Sequence, residues 1–121
     1  MGKDLKIHIG EDLDEFGRRF VDAWHRAERG EITAANPEYH LSFEDFATFA
    51  AVMTPKRLEL LRHVHRSPPR SIRALSQALG RDYRRVHADV EALVNAGLLD
   101  RDADGLRTDY DTVHLDTRIA L

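Results

Sequence analysis

Between Thr54 and Tyr110 the chain carries an ordered series of helix starts and stops that few folds can satisfy. Thr54-Pro55 opens a helix, because Thr is a good N-cap and Pro at the first helical position gives up an N–H with no partner there. Met53 and Leu58 are spaced as a hydrophobic staple across that start. Leu58, Leu61 and Val64 then share the inward face of a helix over about 55–66, which Ser67-Pro68-Pro69 must break. Ser71 caps a short helix with Ile72, Leu75 and Leu79 inward, stopped by Gly80. Asp82 caps a longer helix over about 83–96, with Val86, Val90, Leu93 and Val94 inward and Gly97 as its stop. Residues 98–102 and 106–110 flank Ala103-Asp104-Gly105, and Asp-Gly between alternating strands marks a hairpin.

Helix, short helix, a turn of three or four residues (Gly80-Arg81-Asp82), longer helix and hairpin, in that order, are the parts of a winged helix-turn-helix. The segment SIRALSQALGRDYRRVHADVEALVNAGLLDRD resembles winged-helix transcriptional regulators of the MarR/ArsR type, whose third helix ends in a similar L-x-x-A-G-L-L before the wing. TPKRLELLRHV fits the helix that opens such domains. The resemblance covers roughly residues 54–110. It extends weakly toward a small group of prokaryotic regulator-like proteins with a short β-α extension, some of which resemble antitoxins of two-gene modules. It implies a cytoplasmic, sequence-specific double-stranded DNA-binding regulator, with the helix over 83–96 in the major groove and the wing over 98–110 at the backbone. An autoregulating, antitoxin-like repressor is among the roles it implies.

Ahead of this module, Leu5, Ile7 and Ile9 alternate with polar residues as in a short strand ended by Gly10. From Glu11 to Arg29, Leu13, Phe16, Phe20, Trp24 and Ala27 recur at helical spacing. Acids sit in the first turn and Arg26 and Arg29 in the last, which suits the helix dipole. Tyr39–Phe43 reads as a second short strand. Ser42 with Asp45 fits a capping box, and Leu41 with Phe46 a staple, for a helix over about 43–52 burying Phe46, Phe49 and Ala50. The expected class is therefore α+β, mainly α: an N-terminal β-α-(β)-α extension over 1–53, a winged helix-turn-helix over 54–110, and a tail over 111–121. Val113, Leu115 and Ile119 in that tail suggest a last strand.

The whole chain of 121 residues has a formal charge of −3, which by itself argues against nucleic acid. Position reverses that argument. Residues 1–54 hold six Lys/Arg and eleven Asp/Glu, residues 55–107 hold eleven and seven, and residues 108–121 hold one and three. A basic module at +4 is thus averaged with flanks at −5 and −2.

With Val86, Val90 and Leu93 inward, the first two turns of the longer helix offer Tyr83, Arg84, Arg85, His87 and Ala88 outward. Arg pairs with guanine O6 and N7, and Tyr or Ala meets a thymine methyl. Arg84 and His87 are therefore the expected base readers, with Tyr83 and Arg85 shared between base and phosphate. Arg70, Ser71 and Arg73 stand at a helix N-terminus, which favours phosphate. Arg101 and Arg107 lie on the arms of the wing, but its tip, Asp102-Ala103-Asp104-Gly105, repels phosphate. Lys56 and Arg57 read as surface charges.

Other classes fit less well. There is no glycine-rich phosphate loop, no Gly-x-Ser-x-Gly and no His-Glu-x-x-His, so no catalytic residues are assigned. Having no cysteine excludes disulfides and thiolate metal sites. His63 and His65, two apart on a helix, point in different directions, and the remaining histidines are scattered. No metal and no cofactor is expected. No apolar run approaches the roughly 20 residues that span a bilayer, so no membrane partner is expected. The competing reading is a protein-interaction module whose acidic N-terminal part docks a basic partner such as a cognate toxin. Phe16, Phe20 and Trp24 form a large apolar stripe for one helix, and they are expected to be mixed core and dimer or partner interface in a homodimer.

Overall fold

The computed structural model describes residues 3–119 and 121. It is an α+β fold in the order β1 (Asp4–Ile9), α1 (Leu13–Glu28), β2 (Tyr39–Phe43), α2 (Phe46–Val52), α3 (Pro55–Arg66), α4 (Ile72–Leu79), α5 (Tyr83–Asn95), β3 (Asp100–Asp102), β4 (Gly105–Arg107) and β5 (Thr112–Thr117). The chain divides into two compact units, Met1–Phe49 with Asp111–Leu121 and Ala50–Tyr110, with α2 crossing the boundary. Among the described residues, no helix is long and apolar enough to cross a membrane.

The first unit is built on a parallel sheet in the order β2-β1-β5. Leu5, Ile7 and Ile9 are buried on one face of β1, in register with Tyr39, Leu41 and Phe43 on β2 and Val113, Leu115 and Thr117 on β5. The tail therefore does not stand apart: it returns to pair with the first strand. The side chain of Asp12 caps α1 by accepting from the Glu15 N–H at 2.7 Å.

The helix does not bury the stripe its spacing suggested. None of its residues is buried, and Leu13 is 88% exposed. Its half-buried positions are Glu15, Arg19, Ala23 and Arg26, one turn apart along the opposite side. Ion pairs explain the orientation. Arg19 bonds Glu11 at the end of β1 through Nε and Nη2, at 2.9 and 2.8 Å, and Arg26 clasps Glu38 just before β2. Arg118 after β5 reaches Glu15 at 2.8 Å.

The start of α2 also differs from expectation. Asp45, rather than Ser42, accepts from a free helix N–H, that of Thr48 at 2.7 Å, while Ser42 stays in β2. Phe49 is buried, edge-on to Phe43 at 5.3 Å, whereas Phe46 and Ala50 are exposed.

The second unit follows the caps closely. Thr54, Ser71 and Asp82 accept from the N–H groups of Arg57, Ala74 and Arg85, satisfying one orphan donor at each helix start. Leu60, Leu61, Val64, Ile72, Leu75, Val86, Val90, Leu93, Leu98, Leu99 and Leu106 form its core. On α3 the inward stripe runs through Leu60 rather than Leu58, which is exposed. The antiparallel pair β3-β4 is shorter than the alternation implied, joining Asp102 to Gly105 around Ala103 and Asp104.

Candidate nucleic-acid interface

The turn between α4 and α5 is Gly80-Arg81-Asp82. Gly80 adopts a left-handed φ of 64°, which lets its own N–H reach Gln77 O and the Arg81 N–H reach Ser76 O at 3.0 Å, closing α4. Asp82 then starts α5 at once. Val86, Val90 and Leu93 have no exposed surface, so they fix which side of α5 faces out. Arg84 and Ala88 occupy the middle of that outward side in its first two turns, with Arg85 and His87 on either flank. Ala88 leaves the two arginines unobstructed.

Tyr83 connects α5 to α4. The Arg73 guanidinium lies over its ring at 4.9 Å from the centroid, and the His87 ring is tilted against it with centroids 5.9 Å apart. Arg73 and Tyr83 thus steady each other while both remain exposed. Arg70 and Ser71 are exposed beside them at the N-terminus of α4, where the Ser71 Oγ is occupied by the Ala74 N–H at 3.0 Å. Among the described residues, the guanidinium groups of Arg70, Arg84 and Arg85 have no carboxylate partner. Arg62, Arg66 and Arg73 likewise have none, whereas Arg57, Arg81, Arg101 and Arg107 do.

Arg101 and Arg107 are on the hairpin, as the sequence requires, but neither is a free charge. Arg101 approaches Glu91 of α5 at 3.4 Å, a carboxylate that also lies 3.9 Å from His87. Arg107 pairs with Asp102 and lies 3.5 Å from Asp109. Such exposed pairs are worth under about 1 kcal/mol and exchange readily for another anion. The hairpin itself is held firmly, since Leu106 N–H donates to Pro69 O at 3.0 Å and Leu106 is buried.

Arg57 is not the surface charge expected of it. Its Nε donates to Asp89 at 3.0 Å and its Nη1 to the carbonyls of Ala51 and Val52. Arg81 holds the other oxygen of Asp89 at 2.7 Å. Asp89 is therefore a clamp drawing α3, the turn and α5 together. Nothing in the sequence sets Asp89 apart from Glu91, the other acid of the same helix.

The residues expected to form an interface, Phe16, Phe20 and Trp24, are 49%, 60% and 61% exposed, so they have no core role in their own unit. Two of the scattered histidines in fact meet: His8 is buried and stacks on His40 with ring centroids 5.1 Å apart. Among the described residues, no group of three or more His, Asp or Glu side chains is arranged to hold a metal ion.

A family model described as HVO_A0114 matches residues 52–115, just over half of the chain. That span takes in α3, α4, α5 and the hairpin and runs into β5. No curated protein matches the chain. On the extent of the family match, the chain belongs to the HVO_A0114 family.

Proposed function

We propose that Ala50–Tyr110 is a winged helix-turn-helix that binds double-stranded DNA sequence-specifically, and that the protein regulates transcription as a cytoplasmic homodimer. The reading rests above all on one contrast. Arg57, Arg81, Arg101 and Arg107 are matched to carboxylates, while Arg84 and Arg85, like Arg62, Arg66, Arg70 and Arg73, are not, and of these six they alone stand on the exposed first turn of α5. Unpaired guanidinium groups at the start of a helix that follows a three-residue turn suit direct readout of guanine in the major groove. Arg70, Ser71 and Arg73 would lie against the flanking phosphates, with Tyr83 held at the edge of the groove by Arg73. The resemblance to MarR/ArsR-type regulators points the same way. An autoregulating repressor with an antitoxin-like partner is the narrower form of the proposal.

The test is binding to duplex DNA from immediately upstream of its coding sequence, across a salt series. Specific affinity should fall steeply with salt as arginines release counterions. Arg84→Ala should cost about 1–3 kcal/mol and relax preference at one or two base pairs. Arg84→Ala with Arg85→Ala should abolish specific binding with the fold intact. Unchanged affinity in that double variant would remove α5 from the interface.

A further inference from the structure

We infer that α1 is the dimerisation helix, pairing antiparallel with α1 of a second copy about a two-fold axis between Arg18 and Arg19. This names a surface for the dimer that the proposed DNA reading calls for, and it rests on that reading only for its purpose.

The apolar face is large and has no role within its own unit. Leu13, Phe16, Phe20, Val21 and Trp24 are each about half exposed or more, on a helix with no buried residue. Aromatic side chains of about 200 Å² each, half or more uncovered, leave on the order of 300 Å² from the three rings. With Leu13 and Val21 added, the patch reaches roughly 500 Å², near the upper end of what a monomer exposes. It is also more than half of the ~800 Å² per partner that a stable interface covers.

Gly17 lies in the middle of this face. A Cβ there would meet nothing within 4 Å, so neither sterics within the chain nor a positive φ calls for glycine. Glycine inside a helix costs about 1 kcal/mol relative to alanine. Its use here fits the close approach of a partner from outside.

The arrangement of the stripe selects a second copy of the chain. The set Leu13, Phe16, Gly17, Phe20, Val21 and Trp24 maps onto itself when the helix is reversed about the point between residues 18 and 19. Leu13 then faces Trp24 of the second copy and each Phe20 ring enters the notch left by the other Gly17, while Phe16 and Val21 lie on opposite flanks of the seam, each beside its counterpart in the second copy. Every apolar member finds an apolar partner, as an isologous interface requires.

Charge selects the direction. Glu11, Asp12, Asp14 and Glu15 crowd one end of the helix region, while at the other end Arg26 and Arg29 stand with Glu28 and already pair with Asp22, Glu38 and Glu31. Antiparallel pairing keeps the two acidic ends apart and opposes the two helix dipoles, whereas parallel pairing would stack acid on acid.

Sedimentation equilibrium of the full chain without DNA, over a concentration series, should give a dimer. Phe20→Asp should weaken self-association at least about tenfold, as loss of a central aromatic anchor does. Gly17→Leu should do the same while leaving thermal stability at high dilution equal or higher, because it fills a notch that is empty in the single chain. The chain has no native cysteine, so engineered ones report the register directly. Leu13→Cys mixed with Trp24→Cys should form a disulfide-linked heterodimer, and neither variant alone should link to itself. A monomeric wild type, self-linking of Leu13→Cys, or dimers that survive both Phe20→Asp and Gly17→Leu would each overturn the inference. The two readings also fail separately: a monomer that binds its operator defeats the dimer alone, and a dimer without DNA affinity defeats the DNA reading alone.

Discussion

The Nε2 of His8 and the Nδ1 of His40 lie 2.8 Å apart, so a single proton occupies the space between the two rings. His8 Nδ1 faces Glu11 at 3.5 Å and Asp116 at 3.7 Å, and His40 Nε2 faces Glu38 at 3.1 Å. Burial, and then the nearby Arg19 guanidinium, hold His8 below its ordinary value of 6.5 despite Glu11 and Asp116. A base with a depressed folded-state pKa binds its proton less readily folded than unfolded. Its contribution is therefore complete above about pH 6.5 and is lost as the pH falls through the depressed value. The urea midpoint should be flat above that point and decline below it, and His8→Gln should reduce the slope.

A second, more acidic step is expected from Glu38. Its carboxyl is pulled down to about 2, first by the hydrogen bonds from Arg26 and then, against the cost of burial, by His40. Stability from this pair is present above the ordinary carboxylate value of 4.5 and is lost as pH falls toward 2. Because Arg26 ties α1 to the start of β2, Glu38→Gln should flatten the acid limb of the stability profile. It should also increase hydrogen exchange in α1 more than in α5.

Gly105 stands where β4 passes closest to the loop between α3 and α4. A Cβ there would lie 2.2 Å from the Pro69 carbonyl oxygen and 2.8 Å from the Arg70 Cα, at a φ of 122° that side chains rarely adopt. Backbone on both sides cannot give way as a flexible side chain would. Gly105→Ala should cost on the order of 3 kcal/mol and detach the hairpin. Circular-dichroism melting checks the cost, and loss of hydrogen-exchange protection at the Leu106 N–H, which donates to Pro69, checks the mechanism.

The second unit is largely legible in the sequence because its signals are local. Thr54, Ser71 and Asp82 act on N–H groups three residues away, and Gly80 and Gly97 act within one turn. The first unit hides its organisation in distant pairings. β1 and β5 are parallel neighbours although Asp4 faces Thr112, and no spacing rule reaches across the intervening helices. The spacing of Phe16, Phe20 and Trp24 identifies a face of α1 without saying what lies opposite it. The ion pairs of Arg19 and Arg26 turn that face outward. For the same reason the clamp on Asp89 is invisible in the sequence: its partners, Arg57 and Arg81, lie 32 and 8 residues away on other elements.

That clamp sets a limit on what the unit tolerates. Asp89 is only 14% exposed and neutralises two arginines that are each 20% exposed. Asp89→Ala leaves both cations half-buried and unmatched, at a cost of about 2 kcal/mol. For a unit of this size that lowers the melting temperature by roughly 10 °C. Asp89→Asn keeps the shape and part of the hydrogen bonding, so it should fall between the wild type and alanine.

The hairpin tip offers the sharpest test of how DNA affinity is distributed. Asp102 holds Arg107 and accepts from the Asp104 N–H at 2.9 Å, so one carboxylate both builds the turn and masks a cation. Asp102→Asn with Asp104→Asn keeps an acceptor for the turn, removes two charges that repel phosphate and releases Arg107. Nonspecific duplex affinity should rise several-fold, and the salt slope should steepen by about one counterion for each further phosphate that the hairpin neutralises. Specific affinity should rise by about the same factor, because a phosphate contact carries no sequence information, so the ratio of specific to nonspecific affinity should hold. Fluorescence anisotropy with operator and scrambled duplexes, each over a salt series, measures both slopes. If the ratio changed instead, the hairpin would be reading sequence itself, and α5 would lose its assignment as the one reader of sequence.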